Sequence, residues 1–182
     1  VDALPGLAAG YQKHRPRTRF FQYIVTDRSG TLETLYAAGS LSSTSEEHIE
    51  RFPTLAGQVK PKPIQVPTIT LDELLERNGV ARVDFLSLDI EEGEPAALAG
   101  FDIDRYRPEL VCVSAGPPVR DRLAAYFAAH GYERIDAYLE FDAGNWYYRP
   151  QPRRPWLGAA AGLSGAALVW AVWWGVRRRH PA

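Results

Sequence analysis

The chain has 182 residues, 46% of them hydrophobic and 24% charged, a composition that supports a buried core and excludes intrinsic disorder. Lys and Arg number 21 against 22 Asp and Glu, a net charge of -1, which excludes a globally basic nucleic-acid-binding surface. The one cysteine, Cys112, excludes an intrachain disulfide and reads as a small buried thiol in an apolar run.

In chain order, residues 19–26 are dense in aromatic and β-branched side chains and stop at the turn cluster Asp27, Arg28, Ser29, Gly30, which predicts a strand. Residues 31–36 alternate as a short second strand near an edge. Residues 39–67 are rich in Ser, Glu and Pro without sustained periodicity and read as a long loop, either a lid or binding segment or a solvated connector. His48 lies in it; histidine suits a base near neutral pH, but a lone loop histidine is ordinarily solvated.

Thr70 and Glu73 form a capping box that starts a helix with Leu71, Leu74 and Leu75 on its apolar stripe. Asn78 and Gly79 stop it. Residues 83–88 read as a buried parallel strand ending at Asp89, with Phe85 and Leu86 inside, and residues 95–98 as a helix with proline in its first turn. A second buried strand follows at 110–113. Val119, Leu123 and Phe127 then recur every four residues along a helix over 119–130, and 132–139 and 145–148 read as two closing strands. Strands alternating with helices predict an α/β fold with a largely parallel sheet.

Asp89, Glu91, Glu92 and Glu94 crowd four carboxylates into the segment after the 83–88 strand. One reading is a ligand site at the carboxyl end of a strand, where α/β enzymes collect their ligands. The other is acidic residues favoured at a helix start by its free N–H groups and dipole.

The segments TITLD at 68–72, VDFLSLDIEEGE at 83–94, Leu98 and Gly100, RPELVCV at 107–113 and NWYYRP at 145–150 resemble the pattern of FkbM-type S-adenosylmethionine-dependent methyltransferases. The resemblance spans roughly 20–150. It implies a Rossmann-like methyltransferase sheet and methyl transfer from S-adenosylmethionine to a hydroxyl of a glycan or polyketide-type small molecule. Asp89, Glu91 and Glu94 are the candidate catalytic residues, with Asp89 also facing the cofactor. Glu92 stands where the family pattern has glycine, and Ser114 where its strand commonly ends in Glu.

The family binds its cofactor mainly through a first strand with a Gly-rich turn and an acid ending the second strand. No such turn precedes a helix here, so the sheet is expected to lack its first two strands and the chain alone to bind the cofactor weakly. A fragment and a degenerate homologue both fit that pattern. The rival reading is a non-catalytic, membrane-anchored α/β module derived from a methyltransferase.

Trp156 to Val176 contains no charged residue and reaches the ~20 residues that span a bilayer. Trp156, Trp173 and Trp174 suit the two interfaces, and Arg153, Arg154 and Arg177 to Arg179 bracket the run. The expectation is a methyltransferase domain over 1–150, then a basic linker, a single transmembrane helix over 156–176 and a basic tail. With basic flanks on both sides, charge does not set orientation. The cytosolic cofactor and the absence of an export signal place the domain on the cytoplasmic side. Gly158 and Gly162 form a G-x-x-x-G pair that leaves homodimerisation open.

Overall fold

The computed structural model describes residues 1–52 and 60–152. Val1–Gln151 form one compact unit. The elements in order are α1 (Leu7–His14), β1 (Ile24–Val25), β2 (Leu32–Ala37), α2 (Glu46–Glu50), β3 (Lys62–Ile69), α3 (Leu71–Arg77), β4 (Phe85–Leu88), α4 (Glu94–Ala99), α5 (Ile103–Tyr106), β5 (Leu110–Ser114), α6 (Arg120–Ala129), β6 (Tyr132–Arg134) and β7 (Asn145–Pro150), with 3₁₀ turns at Gly39–Leu41 and Asp136–Glu140.

The strands form two small sheets, ordered β1-β3-β2 and β4-β5-β7-β6. This corrects the expectation of one largely parallel sheet. Parallel pairing is confined to β1 with β3 and β4 with β5, while β2–β3, β5–β7 and β6–β7 are antiparallel. β4 and β5 are parallel because α4 and α5 carry the chain back between them, whereas the short path from β6 to β7 permits only a reversal.

The predicted 39–67 loop is also corrected. It contains α2, whose Ser45 side chain accepts from the His48 N–H, and the first part of β3. Pro63 and Pro67 disguise that strand, yet both fit its register. The β2 pairing directs the N–H groups of residues 62, 64 and 66 toward β2, so positions 63 and 67 need no donor on that side.

Among the other elements, α3 keeps half of its expected box. Thr70 Oγ1 accepts from the Glu73 N–H at 3.1 Å, but the Thr70 N–H donates to Ser29 Oγ at 2.9 Å, so Glu73 is left to pair with Arg77. The predicted strand at 132–139 ends at Arg134 and continues as a 3₁₀ turn, where Tyr138 meets the Tyr147 ring edge-on at 4.9 Å. The strand expected over 19–26 is reduced to Ile24–Val25.

The main core lies between α6 and the four-stranded sheet. Val119, Leu123 and Phe127 are fully buried, and Phe127 stacks on Tyr148 with ring centroids 3.9 Å apart. β4 is the edge strand of that sheet, so Phe85 is 53% exposed and Leu86 half-buried, against the expectation that both lie inside. Only Leu88 of β4 is buried. Among the described residues no helix is long and apolar enough to cross a membrane; the predicted span over 156–176 and its glycine pair lie outside the described residues.

Candidate functional site

A cavity of about 510 Å³ opens at the carboxyl end of β4. Its walls come from the loop after β4, from β1 and β2, from the 39–44 segment and from the residues leading into α1. Apolar Tyr23, Ile24 and Leu35 line it beside the carboxylates of Asp2, Glu33, Asp89 and Glu91, and among the described residues no lysine, arginine or histidine side chain contributes. Volume and mixed lining are those of a small-molecule site.

The acidic segment folds as a tight corner. Glu91 has φ 53° and Glu92 φ 75°, two successive non-glycine residues in the left-handed region. Each such residue costs about 1–2 kcal/mol, so the corner exists because its surroundings hold it. The Gly93 N–H closes a turn on the Ile90 carbonyl at 3.2 Å, and buried Ser43 donates its hydroxyl to the Glu91 carbonyl at 2.9 Å. Glycine at position 92 would adopt this φ without strain, which is the physical sense of the family's preference there.

The structure separates the three predicted carboxylates. Asp89 is exposed on the cavity wall, immediately after Leu88. Glu91 is partly buried and also reaches the wall; desolvation and the neighbouring Asp89 and Glu92 raise its pKa, against the lowering effect of His48. Glu94 is not on the wall. At 1% exposure it lies under the corner, where Oε1 accepts the Ile90 N–H at 2.9 Å and Oε2 has no described partner. Burial pushes its carboxyl up from the ordinary range, so Glu94 shapes the corner from below.

His48 is the residue that sequence reasoning set aside. It is 4% exposed rather than solvated, with Nε2 3.0 Å from Glu91 Oε2 and Nδ1 3.2 Å from Glu92 Oε1. Both contacts are at ion-pair distance but lie off the axis of a hydrogen bond. Arg51, on the next turn, pairs with Glu92 Oε2. A local signal for α2 was present in Ser45 followed by Glu46 and Glu47, a cap with acids in the first turn. No local signal gives the contact with residues 91 and 92. Ser114 is half-buried at the end of β5, where it pairs with Asn145 of β7.

A family model described as "Methyltransferase FkbM domain" matches residues 3–142. No curated protein and no solved structure matches the chain.

Proposed function

Because the chain belongs to the FkbM methyltransferase domain family, we propose that it transfers a methyl group from S-adenosylmethionine to a hydroxyl oxygen of a glycan or polyketide-type acceptor, with the β4-end cavity as the site. The observation that carries this reading is the placement of Asp89 and Glu91 on one cavity wall at the carboxyl end of a parallel strand. The donor set fits one end of the cofactor. Four carboxylates suit a sulfonium, an ammonium and hydroxyl groups, while among the described residues no cationic side chain on the wall meets the cofactor's own carboxylate. Bound S-adenosylmethionine supplies an electrophilic methyl on a positively charged sulfur.

The chain's own residues hold the acceptor and take its proton. Glu91 is the base: partial burial strengthens its carboxylate as a proton acceptor, and the oxygen not facing His48 is free to receive the hydroxyl hydrogen. Asp89, more exposed, orients the hydroxyl or balances positive charge in the cavity. Glu94 keeps the Ile90 amide, and with it the corner, in place.

Calorimetry and transfer of a labelled methyl group test this in the full chain. The expected result is saturable S-adenosylmethionine binding weaker than micromolar, because no G-x-G turn leads into a helix among the described residues, together with transfer to hydroxyl acceptors that falls at least tenfold in Glu91→Gln. A chain with no saturable binding, or a Glu91→Gln variant with undiminished transfer, refutes the assignment. The rival non-catalytic module predicts the first of these outcomes.

The run over 156–176 would anchor the domain to a bilayer, a reading supported by its uncharged length, with the domain on the cytoplasmic side, where the proposed cofactor is. Cell fractionation checks it: the full chain should sediment with membranes and a chain ending at Pro150 should not. Full-length protein that is soluble without detergent overturns the anchor.

A further inference from the structure

The acidic corner is gripped from one side by a single short helix. His48 in α2 and Arg51 at its C-terminal cap are three residues apart, and between them they occupy three of the four carboxylate oxygens of Glu91 and Glu92. The distribution is unequal. Glu92 has Oε1 on His48 and Oε2 on Arg51, so neither oxygen is available to a ligand; Glu91 has Oε2 on His48, and no described donor reaches its Oε1. Glu92 is accordingly absent from the cavity wall and Glu91 present on it.

We infer that His48 is a positioning residue for this corner: by setting one ring nitrogen against each carboxylate it keeps Glu91 and Glu92 left-handed and presents the free oxygen of Glu91 to the cavity. Backbone conformation calls for such a hold as much as charge does. Two consecutive non-glycine residues at positive φ require an external hold. Ser43 supplies it at the Glu91 carbonyl and Glu94 at the Ile90 N–H, while among the described residues His48 is the one group at ion-pair distance from the side chains of both strained residues. The imidazole is buried, with the Phe52 ring tilted beside it at a centroid distance of 5.3 Å. The ring is flanked on both sides, with one nitrogen at ion-pair distance from each carboxylate. The titratable and charged groups around Glu91 are His48 from α2 and, through Glu92, Arg51 at its C-terminal cap, Asp89 and Glu92 from the corner, and Glu94 from α4. The catalytic importance of this clamp rests on the methyl-transfer reading; the clamp itself does not.

A double-mutant cycle on the solubilised full chain tests it, with His48→Gln, Glu92→Gly and the double variant compared by melting temperature and by ¹³C titration of the Glu91 carboxyl. Glycine adopts the left-handed conformation unaided, so His48→Gln should lower the melting temperature less than half as much in the Glu92→Gly background as in the parent. His48→Gln should also move the Glu91 titration upward, because an attractive neighbour is lost. Equal drops in both backgrounds, or an unmoved Glu91 titration, overturn the inference by reducing His48 to a packing residue. If His48→Gln alone fails to fold, recovery of the fold in the double variant supports the clamp, and its failure there refutes it. Neither readout involves cofactor or acceptor, so the clamp and the methyl-transfer reading fail separately.

Discussion

Replacing Gly100 with alanine places a methyl carbon 2.4 Å from the Thr26 carbonyl oxygen and 3.1 Å from two carbons of the Thr70 side chain. Gly100 closes α4 at φ -95°, a conformation open to any residue, so the objection is purely steric. The nearest atom is backbone at the end of β1, and it cannot rotate away as a side chain would. Ordinary C···O contacts fall near ~3.3–3.6 Å, which leaves an overlap of about 1 Å. Overpacking of this kind costs ~1–3 kcal/mol, and a backbone neighbour puts the expected cost near the top of that range. Alanine recovers about 0.4–1 kcal/mol by restricting the unfolded chain. The net loss is about 2 kcal/mol, equivalent to a melting point lower by ~4–8 °C in a protein of this size. Thermal denaturation of parent and variant in matched buffer measures it. An alanine variant that melts at or above the parent would refute the close approach of α4 to β1, and with it the geometry of the cavity wall to which Thr26 belongs.

The buried Glu94 predicts a pH-dependent gain. Burial raises its folded pKa, so below the unfolded value of ~4.3 it imposes no cost, and destabilisation develops as pH rises from there through the folded value. Glu94→Gln keeps an oxygen for the Ile90 N–H and removes the charge. It should be more stable than the parent at pH 8, with the gap closing toward pH 4 in urea unfolding; a gap that does not shrink contradicts the burial argument. Phe127→Ala removes a fully buried ring packed on Tyr148 and Tyr132, and should destabilise by ~3–5 kcal/mol in the same assay. A loss under about 1 kcal/mol would show that α6 does not anchor the core.

Much of the four-stranded half was legible because its signals are local. Val119, Leu123 and Phe127 mark one face of α6, the Thr70 cap marks α3, and the apolar runs before Asp89 and Ser114 mark the parallel pair. The misreadings share a different cause. Phe85 belongs to an apolar run, but whether an apolar run is covered on both faces depends on what stands beside it, and β4 stands at an edge. β3 was hidden by prolines whose compatibility with a strand is decided by the register of β2. At the site, Asp89 and Glu91 were visible as a motif. The partition between wall residues and the buried Glu94 was not, because it turns on which way each side chain leaves a corner of unusual φ. His48 was out of reach for the same reason, since its partners lie across the fold.

The prolines of β3 also determine how its flank can behave toward a new strand. On the side away from β2, the nitrogens of positions 63, 65 and 67 face outward, and of these only Gln65 carries a hydrogen. Among the described residues no strand pairs with β3 there before Thr68. A flank with so few donors cannot template a ladder, so it protects itself without needing a cover. β4 has no such defence: Phe85–Leu88 contains no proline and ends the sheet with its donors and acceptors intact. Crowded copies of this chain would therefore seed strand contacts at β4 sooner than at the proline-bearing flank of β3.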